Sequence, residues 1–119
     1  MRAMNEGEMV AIPRGFNCDF AMTMECEDMV NVGIWSGDIL YFRAQQTAES
    51  GDLVLVLVEG ETRLRRIIFG DNSTFLQTFP TKGAPMERYE GADLERVEIL
   101  GKLVGLARSL ERTDAPNED

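Results

Sequence analysis

At 119 residues and 13.3 kDa the chain has the length of one domain, enough to bury a core without disulfides or metals. Its 21 acidic residues against 12 basic ones, a net charge of −9, exclude the clustered positive surface that counterion release from nucleic acid requires, so no direct contact with nucleic acid is expected. Histidine is lacking altogether, which excludes Ser-His-Asp and Cys-His catalysis and the His-containing zinc sites.

The chain opens with Met1 to Glu8, a stretch without the apolar core of a signal peptide, and no later apolar run reaches the length of a membrane span. The expectation is a cytoplasmic protein with no membrane contact. Residues 1–18 show no period and include the turn signature Ile12-Pro13-Arg14-Gly15, so they read as an arm. Cys18 and Cys26 are too few for a secreted disulfide framework and fit no common zinc spacing; neither a metal nor a cofactor is expected. Asp19 to Met24 reads as a short strand leading into the acidic turn Glu25-Cys26-Glu27-Asp28. A second turn at Ser36-Gly37-Asp38 precedes a strand at Ile39 to Arg43. Leu53 to Val58 is too short for a helix and sits between glycine-containing turns, which predicts a fully buried strand. Glu59-Gly60-Glu61 then makes a tight hairpin into a strand from Thr62 to Phe69, and Ser73 to Thr78 is a further strand before a loop marked by Pro80, Gly83 and Pro85. The stretch from Glu95 to Leu110 fits a helix face or a strand pair, and Gly101 and Gly105 favour strand, since each costs a helix interior about 1 kcal/mol relative to Ala. Residues 111–119 read as a disordered acidic tail, leaving 19–110 as the folded domain.

Segments in order and spacing carry a resemblance, most specifically Gly33-Ile34-x-x-Gly37-Asp38, Gln45 to Asp52 with the apolar strand after it, and Ile99 to Arg108; before them Met29 also matches, while Cys26 and Glu27 depart from the Gly-Asp pair usual at their positions. Together they resemble the LexA-type self-cleaving repressors, a serine/lysine peptidase family that includes the lambda-type phage repressors. The resemblance covers about Asp19 to Arg108 and implies a mainly β domain, twisted antiparallel sheets forming a partly open barrel like that of the signal peptidases. It places Asp28 where the family has its nucleophilic serine and Arg65 where it has its lysine. The two lie 37 positions apart, as the family's serine and lysine do. Met29, Gly33, Ile34, Gly37 and Asp38 keep the family's residues around that site and are the candidate binding positions.

At those two positions the chemistry of a serine/lysine dyad is missing. Asp28 offers no hydroxyl, and Arg65 keeps its proton whatever its burial. The expectation is a degenerate pair joined as a salt bridge, with no catalytic residue; the bland alternative is a solvated acidic turn and an ordinary charged strand face. The 27 residues before Asp28 contain no Ala-Gly or Cys-Gly bond of the kind the family cuts, and no helical pattern precedes Asp19. Taken as it stands, the chain reads as an isolated core domain: a non-catalytic dimerisation or protein-binding module of transcription regulation. Its partner would be a second copy, through an exposed edge of the strand beginning at Val97, or a related repressor. The alternatives are a fragment of a self-cleaving repressor or a peptidase with relocated residues, drawn from Ser36, Ser50, Ser73, Cys18 and Cys26 with Lys82 or Lys102.

Overall fold

The computed structural model describes residues 17–109, so most of the arm and all of the tail lie outside the described residues. Seven strands follow one another: β1 (Phe20–Thr23), β2 (Ile39–Ala44), β3 (Leu53–Val58), β4 (Glu61–Gly70), β5 (Ser73–Gln77), β6 (Met86–Glu90) and β7 (Val97–Ala107). Short 3₁₀ segments cover Val30–Val32 and Gly91–Arg96. The strands form one antiparallel sheet in the order β1-β2-β7-β3-β4-β5-β6, which does not close. This is the mainly β domain expected, with its layers resolved into a single open sheet.

The unbroken apolar run of β3 is explained by its place. It pairs with β4 on one side and β7 on the other, and both of its faces are covered. Leu55 joins Met24, Met29, Ile34, Leu40, Phe42 and Leu64 in one core cluster, whereas Val54, Val56 and Val58 join Ile67, Leu76 and Tyr89 in another. The β3–β4 hairpin turns at Glu59 and Gly60, both at positive φ, as a two-residue loop matched to the strand twist demands.

The charged segment after the loop marked by Pro80, Gly83 and Pro85, to which the sequence assigns no element, is a strand, β6, at the far edge of the sheet. β7 stands between β2 and β3 in strand order but gives each only part of its length: Gly101–Ala107 pairs with β2 and Val97–Lys102 pairs with β3, so among the described residues Leu103–Ala107 is paired on one side only. The physical reason is its length of 11 residues, which lets one strand serve two neighbours in turn. Gly101 sits at the handover. A Cβ there would lie 2.9 Å from both the Arg43 carbonyl oxygen and Phe20 Cζ, so only glycine lets β2 and the stacked Phe20–Phe42 rings close on β7.

Candidate functional site

The end of β1 is tied down before the acidic turn begins. The Met24 N–H donates to the Asp38 carbonyl and the Gly37 N–H donates to the Met24 carbonyl, both at 2.8 Å. Gly37 and Gly33 hold φ of +97° and +87°, left-handed conformations that a side chain would strain. Beside them the backbone folds over two core anchors, Met29 before Gly33 and Ile34 after it, which are buried. The Gly33 N–H closes the 3₁₀ turn on the Val30 carbonyl, and the Ile34 N–H reaches the Met29 carbonyl.

Asp28 is held from the other side by Phe79. The Phe79 N–H donates to the Asp28 carbonyl and the Asn31 N–H donates to the Phe79 carbonyl, each at 2.8 Å, so the turn is zipped to the chain following β5. The Asp28 carboxylate faces β4. Its Oδ2 lies 3.3 Å from Arg65 Nη1, which also donates to the Leu64 carbonyl at 2.8 Å. Arg65's side chain is 11% exposed and Asp28's 45%, so the pair sits in the wall of a site open on the Asp28 side. The contact is single and long, weaker than a forked carboxylate–guanidinium pair.

Cys26 completes this corner. Cys26 is exposed as a residue, but partial desolvation of its thiol pushes the pKa up; the Asp28 backbone opposes that, the Asp28 carboxylate adds to it, and Arg65 pulls the other way. A thiol kept protonated is a poor nucleophile at neutral pH. Among the other candidates for relocated chemistry, Ser50 Oγ accepts the Phe69 N–H at 3.0 Å, Ser73 is buried within β5, and Lys102 Nζ lies 3.7 Å from Asp52 Oδ1.

A second ion pair, which sequence reasoning did not assign, holds the neighbouring turn. Asp38 is 2% exposed; its Oδ1 accepts from Arg108 Nε at 2.7 Å, and its Oδ2 from Arg108 Nη2 at 2.6 Å and the Trp35 N–H at 2.7 Å. Arg108 also donates to the Gly33 carbonyl at 2.7 Å, and its guanidinium lies 4.9 Å from the centre of the Trp35 ring. Hydrogen bonding to Asp38 raises the Arg108 pKa further. Of the candidate binding positions, Met29, Ile34 and Asp38 therefore face the interior as framework, and only Gly33 and Gly37 are exposed. Chain order alone hides the Asp38–Arg108 pair, because 70 positions separate its members.

An open antiparallel β domain, with a turn after its first strand meeting a basic residue on its fourth, is an architecture consistent with a peptidase-type β domain. The chain belongs to the Peptidase S24-like family, whose sequence profile matches residues 3–104. It is similar to LexA repressor 2 of Geobacter sulfurreducens, at 33% identity over 92 residues, 77% of this chain and 44% of that protein. It is also similar to the LexA repressors of Geotalea uraniireducens, at 34% identity over 85% of this chain and 49% of that protein, and of Syntrophobacter fumaroxidans, at 30% over 94% and 54%. The chain spans about half the length of the curated relatives it matches. Among the described residues no helix is long and apolar enough to cross a membrane.

Proposed function

We propose that this chain is a non-catalytic member of its family, a pseudoenzyme that acts by dimerising or by binding a related repressor in the regulation of transcription, in the cytoplasm and without a cofactor. The observation that carries the reading is the contact between Asp28 and Arg65, the two residues that the family resemblance sets in the places of nucleophile and base. A carboxylate and a guanidinium in contact neutralise each other, whereas the reaction needs a hydroxyl and a neutral amine. The exposed apolar residues Val32, Trp35 and Leu106, lying on the 3₁₀ turn, the turn after it and the half of β7 that pairs with β2 alone, offer the surface for a second copy. The relocated peptidase is opposed by the raised Cys26 pKa and by the other partners of Ser50 and Lys102.

The test is incubation of the purified chain from neutral pH to pH about 10, the range over which a buried lysine loses its proton, followed by intact-mass measurement. No truncated product is expected at any pH. A discrete product that vanishes on mutating one internal residue would overturn the reading.

A further inference from the structure

The edge of the sheet farthest from β1 carries a self-complementary strand. Among the described residues β6 pairs with β5 alone, and every residue of it except Tyr89 is exposed. The 3₁₀ segment that follows touches β6, β5 and β7, and β6 is the last strand of the sheet, so among the described residues no strand pairs with its outer side. An open edge presents unpaired N–H and C=O groups to any strand that matches it.

We propose that β6 of one copy pairs antiparallel with β6 of a second copy about a two-fold axis at Tyr89, continuing the sheet across two molecules. Arg88 and Glu90 share one face, opposite Phe75 and Ser73 of β5, and their side chains lie 2.9 Å apart. In the register centred on Tyr89, Arg88 stands opposite the partner's Glu90 and Glu90 stands opposite the partner's Arg88. The two intrastrand pairs thus merge into one cluster of alternating charge. The other two-fold registers fail chemically. Centring on Glu87, Arg88 or Glu90 sets like charges directly opposite each other, which destabilises a strand pair. Centring on Met86 brings Pro85, which has no N–H, into the ladder. Two-fold symmetry makes the interface isologous and closed, so the product is a dimer at this edge. In the register centred on Tyr89 only Arg88, Tyr89 and Glu90 of each strand lie opposite one another, so the ladder is three residues long and the association is correspondingly weak and concentration-dependent.

This interface is independent of the cleft and of the Trp35–Leu106 surface, and charge reversal separates them. Sedimentation velocity of the full chain at high micromolar concentration is compared for wild type, Arg88→Glu, Glu90→Arg, the double swap and Leu106→Asp. Both charged side chains are more than half exposed, so circular dichroism should show an unchanged fold. Each single reversal is expected to weaken the β6-dependent step by about tenfold or more, since two attractive pairs become two repulsive ones. The double swap should restore it, and Leu106→Asp should leave it unchanged. A wild type that stays monomeric, single reversals without effect, or a double swap no better than the singles would each overturn the proposal.

Discussion

A guanidinium keeps its proton at any pH the fold survives, so Asp28 and Arg65 stay charge-paired under the alkaline conditions that would free a lysine to act as a base. The same pair governs its neighbour Cys26, whose thiol is held protonated first by burial and then by the Asp28 carboxylate. Raising a thiol pKa lowers the thiolate fraction, and with it the rate of alkylation, at every pH below the shifted value. Cys26 should therefore react with iodoacetamide more slowly than a free thiol at pH about 8 and catch up as the pH climbs past the range in which an ordinary thiol ionises. Asp28→Ala removes the repulsion and leaves Arg65 facing Cys26, so alkylation should become several-fold faster; rates followed by mass spectrometry check this. No change on removing Asp28 would mean that burial alone sets the reactivity.

At the scale of the element, glycine patterns in the sequence pointed to β7 as a strand but not to its place, because Gly101 reads the same at an edge as at a crowded junction. Its neighbours are a backbone oxygen, which cannot yield, and the tip of Phe20, which is already stacked on Phe42. Gly101→Ala should cost about 2 kcal/mol, the usual penalty of overpacking. Urea denaturation read as a lower midpoint with an unchanged slope is the check. Strands with a covered face were legible in the residues for a physical reason: burial forces Leu and Val into β3 and apolar, β-forming residues into the buried stretches of β2 and β4. β6 was not legible, since an exposed edge strand needs no apolar pattern and Met-Glu-Arg-Tyr-Glu carries its single buried side chain at Tyr89.

Across the whole molecule, the site is a meeting of distant segments, and what sequence could reach was the spacing of Asp28 and Arg65 rather than what surrounds them. Met24, Phe79 and Arg108 each fix the turn through backbone or carboxylate contacts that no local pattern announces. That scaffold decides the outcome of restoring the dyad by Asp28→Ser with Arg65→Lys. Arg65's side chain is 11% exposed, so a lysine there would be desolvated and its pKa lowered toward the range of a useful base, although the acids Glu25 and Glu27 in the facing turn oppose this. Serine is shorter than aspartate, and the parent contact is already long at 3.3 Å, so the hydroxyl starts farther from the amine than a tight hydrogen bond requires. Catalysis also needs backbone N–H donors aimed at the oxyanion and a peptide held in the cleft. Neither is supplied by the two substitutions: Cys26 and Glu27 precede the new serine, and no Ala-Gly or Cys-Gly bond lies among the 27 residues before it. The double mutant should therefore leave its own chain intact after long incubation at pH about 10, where the restored lysine is most fully deprotonated, and should cut an added Ala-Gly linker peptide only slowly. Intact mass of the protein and chromatography of the peptide read the two outcomes separately. Efficient cutting within residues 1–27 would show that the arm is a substrate after all and that activity had been lost at those two positions alone.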